Sequence, residues 1–128
     1  MAHARHYSVE QANAAIPWVQ ERLDRLRAAR EGLNDEDARA ALAEAGPANG
    51  GGRPGRMVSA AFLSMRDALT ELREMEVVLR DLDRGLVDFP ALREGREIYL
   101  CWIEGEAAVE YWHEPEAGFD GRRPLDDD

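Results

Sequence analysis

The side chains best able to do chemistry gather in the last third of this chain. Cys101, the only cysteine, lies in EIYLCWI (97–103), and His113 closes AVEYWH (108–113), just ahead of Glu114 and Glu116. A thiol becomes a nucleophile when a neighbouring cation stabilises its thiolate; Arg122, Arg123 and His113 are the cations in range along the sequence. A Cys–His pair is the minimum for nucleophilic catalysis, and one such pair is present. Cys101 and His113 are also the metal candidates, with Glu110 as a third donor, against the four or so ligands a zinc site takes. The ordinary alternatives are a buried thiol acting as a small hydrophobe and a histidine bonded to a backbone or carboxylate group. His3 and His6 stand near the N-terminus and reach a site only if the chain folds back.

Four further residues are ligand-binding candidates: Asp88, Trp102, Glu106 and Arg122. Asp88, between Val87 and Phe89, is the carboxyl best placed for an apolar pocket, where a raised pKa suits general acid–base work. Its ordinary role is an outward strand residue or a salt bridge to Arg84 or Arg96. Arg122 could grip a carboxylate or phosphate bidentately, or tie the tail to Asp88 or Glu106. Trp102 and Trp112 are core residues or, where exposed, a binding surface. Ser8, Ser59 and Ser64 are the only serines, and none has a nucleophile-elbow context.

Composition removes several functions. The 128 residues, 45% apolar and 33% charged, suit one domain. The net charge is −10, and all 16 basic residues are arginine. Without lysine there is no Schiff-base chemistry and no phosphate-loop lysine. The acidic balance is the reverse of what displaces counterions from a duplex, so no nucleic-acid partner is expected. No stretch approaches the roughly 20 apolar residues of a membrane span, and excess acid repels anionic membrane surfaces. One cysteine allows no internal disulfide. MAHARHYSVEQANAA holds no apolar run of signal-peptide length. The expectation is a cytoplasmic protein with no membrane contact.

The elements that must position these residues fall into two halves. Ser8 and Gln11 have capping-box spacing. Ile16, Val19, Leu23, Leu26 and Leu33 form a helical stripe, with Arg22, Asp24, Arg25, Arg27 and Glu31 on the wet side. Pro17 predicts a break or kink. Asp35 could cap a short piece over 36–45, and GPANGGGRPGR (46–56) reads as a flexible connection rather than a phosphate-cradling loop. A second helix starts near Met57, with the stripe Val58, Phe62, Met65, Leu69 and Leu72.

The rhythm changes after Glu74. VVLRDL, a turn at Asp83–Gly85 with Gly85 left-handed, and LVDFP read as a hairpin whose pairing stops at Pro90 or lies at an edge there. EIYLCWI and AVEYWH follow around a Glu104–Gly105 turn. A two- or four-residue turn puts Ile98, Leu100 and Trp102 on one face with Val109, Tyr111 and His113. Tyr99, Cys101 and Ile103 then share the other with Glu110 and Trp112, which sets His113 opposite Cys101. Phe119 and Leu125 pin the tail, and the last three Asp residues read as disordered. The predicted fold class is α+β in a single domain, 1–128. A long antiparallel helical hairpin (8–76) packs on a three- to four-stranded antiparallel meander sheet with a tail (77–125); keeping 77–82 helical gives the three-stranded version.

YSVEQANAAIP, GLVDFPAL, GREIYLCWIEGE and YWHEPEAGFDGRRPL, in this order, resemble the bacterial family named domain of unknown function 2203. The resemblance spans nearly the whole chain, is densest from Leu82 to Leu125 and leaves out 46–56. It implies a compact bacterial α+β protein and lends no activity or cofactor. Its polar and aromatic residues are Asp88, Cys101, Trp102, Glu106, Trp112, His113 and Arg122. Two functional readings follow. One is a non-catalytic interaction or scaffold protein, a homodimer because two helices and a short sheet leave apolar surface uncovered. The other is a small-ligand or metal-binding protein, an enzyme included, with its site on the C-terminal sheet. Convergence of Asp88, Cys101, Glu106, His113 and Arg122 favours the second; scatter over both faces favours the first.

Overall fold

The computed structural model describes residues 2–33 and 56–126. The short piece at 36–45 and the Gly-rich connection 46–56 therefore lie outside the described residues, save Arg56, as do Asp127 and Asp128. Helix α1 spans Val9–Glu31 and α2 spans Arg56–Glu74. Five antiparallel strands follow: β1 Val78–Asp81, β2 Leu86–Arg93, β3 Arg96–Ile103, β4 Tyr111–His113 and β5 Arg123–Pro124, in spatial order β1-β2-β3-β4-β5. The class is α+β. The helices are two separate packed elements rather than one long hairpin, and the sheet has five strands instead of three or four. The fifth comes from Arg123–Pro124, two residues of the tail that carry no strand pattern of their own. None of the described helices is long and apolar enough to cross a membrane.

α1 begins where the capping box sets it. Ser8 Oγ accepts from Gln11 N–H at 3.0 Å, and Gln11 Oε1 accepts from Ser8 N–H at 2.9 Å. It then runs through Pro17 without the predicted break. The missing N–H forfeits one intrahelical bond, and the packed face carried by Ala12, Val19, Leu23, Leu26 and Ala29 outweighs that loss. Arg22 and Arg27 are not on a wet side. Arg22 donates to Glu71 of α2, while Arg27 donates to both Glu104 oxygens, at 3.0 and 2.7 Å, and to Leu82 O at 2.8 Å. These bonds tie α1 to its neighbour helix and to the end of β3.

α2 stops in a Schellman motif: Val77 N–H bonds Leu72 O at 3.0 Å and Glu76 N–H bonds Arg73 O at 2.9 Å. Glu76 takes the left-handed position, φ 58°, where glycine is usual. Its carboxylate then accepts from His3 Nδ1 and from the N–H groups of Ala4 and Arg5. The change of period near Val77 is this motif.

The core lies between the helices and one sheet face, formed by Val87, Phe89, Ala91, Ile98, Leu100, Trp102 and Trp112. Pairing continues past Pro90 to Arg93. β1 reaches only as far as Asp88, so β2 is an edge at Pro90. Pro90 O points outward to Tyr7 N–H at 2.7 Å, and a strand residue's N and C=O point the same way, so the absent N–H costs no ladder bond.

Gly85 has φ 66°, as the turn requires, and its O accepts from Glu104 N–H. A Cβ there would lie 2.6 Å from Glu104 Cβ. Gly85→Ala is therefore expected to lower unfolding free energy by about 2 kcal/mol or more in urea titration; an unchanged midpoint would show that the turn is not under this constraint.

Candidate functional site

The β3–β4 connection decides the site. The register pairs Tyr99 with His113, Leu100 with Trp112 and Cys101 with Tyr111. β4 starts at Tyr111 rather than Ala108, and the connection implied by that register is odd in length. One residue of slip exchanges every face. Trp112 thus joins the core face, and His113 and Tyr111 join Cys101 and Tyr99 on the other, reversing the expected assignment. Asn13 Oδ1 of α1 holds the connection through Val109 N–H at 2.7 Å.

Asp88 pairs directly with Cys101 across β2 and β3, so it shares their face. One donor atom each from Asp88, Cys101 and His113 lies within 4.8 Å of the other two, and all three residues are buried. Asp88 Oδ2 accepts from His113 Nε2 at 3.0 Å and from Arg80 Nε at 2.8 Å. Asp88 therefore pairs with Arg80, not with Arg84 or Arg96. The hairpin about Asp83–Gly85 brings Arg80 beside it, a relation readable from the turn once the register is set. Asp88 Oδ1 is buried without a hydrogen-bond partner among the described residues.

His113 Nδ1 bonds Glu114 O at 2.7 Å. A carbonyl and a carboxylate only accept, so this arrangement asks a proton of each ring nitrogen. Burial pulls the His113 pKa down, but the bonds to Asp88 and Glu114 O more than offset it and leave it raised. Burial, reinforced by the Asp88 charge, pushes the Cys101 thiol up to about 12; Arg122 Nη1, 3.8 Å from Sγ, only partly opposes this. Cys101 is a protonated thiol, and His113 has no free lone pair with which to deprotonate it. The two do not form a nucleophile–base couple.

Arg122 and Glu106 flank the cluster. Arg122 donates to Glu106 Oε2 at 2.7 Å and stacks on Tyr111 and Phe119, with guanidinium-to-ring distances of 4.0 and 4.4 Å. Glu106 also accepts from Ile103 N–H. Arg122 is thus the tie of tail to Glu106, one of its two expected roles. Trp102 stands apart: it packs in the core face and donates Nε1–H to Glu106 O. Five of the six site residues converge, and Trp102 does not join them. Sequence reasoning missed Arg80 and Tyr99. It also left His3 and His6 outside, whereas both fold back: His3 Nε2 is 2.9 Å from Tyr99 Oη, and His6 Nε2 is 2.8 Å from Glu97. The Tyr99 ring lies 5.6 Å from that of His113.

The residues that converge here are those of the segments singled out from the sequence, and a family model described as an uncharacterised conserved protein, DUF2203, matches residues 5–125. The chain belongs to this family. No curated protein and no solved structure matches the chain. DUF2203 membership fixes relationship and assigns no activity.

The buried Asp88–His113 pair links stability to pH. A raised histidine pKa stabilises the fold fully below the ordinary value near 6.5 and loses that contribution as pH rises through the raised value. His113→Gln is expected to cost about 3 kcal/mol at pH 6, with the gap to the parent narrowing at alkaline pH in urea titrations. A gap that stays constant with pH would exclude the imidazolium. Cys101 in the native chain is expected to react with iodoacetamide at least about 100-fold more slowly than a free thiol; alkylation at the free-thiol rate would contradict its burial as a protonated group.

Proposed function

We propose that this DUF2203 chain is a small-ligand or metal-binding protein whose site is the sheet face carrying Asp88, Cys101 and His113. The observation that carries the reading is Asp88 Oδ1, a buried carboxylate oxygen with no hydrogen bond of ordinary geometry among the described residues, beside a thiol and an imidazole. Leaving such an acceptor unsatisfied costs about 1–3 kcal/mol, and more where the group is charged. A ligand that brings positive charge or a donor proton to Oδ1 recovers this. Binding, not catalysis, is the role the side chains support, because the thiol is protonated and the imidazole is committed on both nitrogens. The interaction or scaffold reading has less behind it. It called for uncovered apolar surface, and among the described residues the exposed large apolar side chains are Val9, Leu63 and Leu92.

Thermal unfolding of the purified full chain against divalent metals, small carboxylates, phosphate and organic cations tests the binding reading. A ligand present at a hundred times its Kd adds about 2.7 kcal/mol, or about 10 °C in a domain of this size. At least one class is expected to produce such a shift, and Asp88→Asn to abolish it. No shift from any member of the panel would end the binding reading.

A further inference from the structure

We propose that the ligand of this face is a thiophilic divalent ion of the zinc class, held by Asp88, Cys101 and His113. This deepens the binding reading and rests on it. One thiol, one imidazole and one carboxylate make a borderline donor set, which suits zinc and disfavours the all-oxygen preference of magnesium or calcium. Three protein donors leave the fourth position of a tetrahedral ion to water.

The surroundings have the arrangement a metal site needs. His113 already bonds Glu114 O through Nδ1, the outer bond that orients a ligating imidazole, and Nε2 would exchange its bond to Asp88 Oδ2 for the ion. Arg122 reaches Cys101 Sγ as an N–H donor to a metal-bound thiolate would. Asp88 divides its work: Oδ2 keeps Arg80 while the unpartnered Oδ1 ligates. A tetrahedral ion at about 2.0–2.3 Å from each donor holds neighbouring donors about 3.3–3.8 Å apart. The donor atoms, within 4.8 Å of one another, close to that spacing by side-chain torsions.

Two arginines beside a cation site need an explanation. Coordination replaces the proton on Cys101 Sγ and the proton on His113 Nε2; both leave to solvent and no electron is transferred. The ion's two positive charges meet the Asp88 carboxylate and the Cys101 thiolate, so the occupied site adds no net charge beside Arg80 and Arg122. Glu106 neutralises Arg122 in both states, and Tyr99 and Tyr111 lie under the two guanidinium groups as neutral rings. Arg80, bonded to Asp88, has a side chain 42% exposed while that of Asp88 is 2% exposed.

Cobalt(II) is the probe, because its spectrum reports both ligand and geometry. Titration of the full chain is expected to saturate at one equivalent. It should give the intense visible bands of a tetrahedral ion and a near-ultraviolet thiolate-to-cobalt band, and one equivalent of zinc should bleach both. Cys101→Ser is expected to lose the near-ultraviolet band alone. His3→Ala and His6→Ala together are expected to leave the spectrum unchanged, which separates this site from the N-terminal histidines. Weak octahedral absorption in the unaltered chain, or a near-ultraviolet band that survives Cys101→Ser, would overturn the assignment; the unaltered chain suffices for the first, whatever a variant's folding. Should cobalt and zinc leave spectrum and melting unchanged while another member of the ligand panel stabilises the chain, the zinc assignment falls and the binding face stands. If nothing stabilises the chain, both fall.

Discussion

A carboxylate buried in the second strand of the sheet constrains everything around it. Asp88 is 2% exposed, and a lone buried charge of this kind costs several kcal/mol. Its compensation comes from both sides of the sheet order. β1 starts with Val78 opposite Asp88 and shifts register between Leu79 and Asp81, around Arg80, and β4 adopts the register that delivers His113. The Gly85 turn sets the first condition, and the odd β3–β4 connection, anchored by Asn13, sets the second. The helices serve this arrangement at one remove. They fill the opposite face with apolar volume, and Arg27 grips Glu104 where β3 leaves the sheet.

The parts of this fold that read directly from sequence are those set by local chemistry. Ser8 and Gln11 cap a helix with side chains three residues apart. Gly85 sits where a left-handed residue is needed. The β-branched and aromatic run 97–103 makes a strand in any context with a partner. The parts that did not read are set by counting or by distance. Whether His113 faces Cys101 depends on one residue in a connection whose Gly105 marks a bend without fixing its length. Glu76 in the left-handed position carries no sequence signal, because its compensation comes from Ala4 and Arg5, some seventy positions earlier. Arg123–Pro124 becomes a strand only because Trp112 offers it an edge.

The candidate site was half legible for the same reason. Each of Asp88, Cys101, Glu106, His113 and Arg122 was identifiable by type and neighbourhood. Their convergence was not, since it depends on the parity of a connection. Trp102 lies on the core face, opposite Cys101, because residues adjacent in a strand point to opposite faces.

The two arginines of the cluster are not equivalent, and the difference bears on why a polar group is buried here at all. Arg122 is fixed by Glu106, by two aromatic rings and by proximity to Cys101, with its side chain 17% exposed. Arg80 rests on one bond to Asp88 and one ring, with its side chain 42% exposed. A network built only for rigidity would satisfy every buried atom, since a half-satisfied one is worse than an apolar core. Here the rigid half lies on the thiol side, and the looser half lies over the carboxylate that keeps an oxygen unbonded. The difference follows the strand order: Arg80 lies on the edge strand β1, whereas Arg122 is held between Glu106, Tyr111 and Phe119.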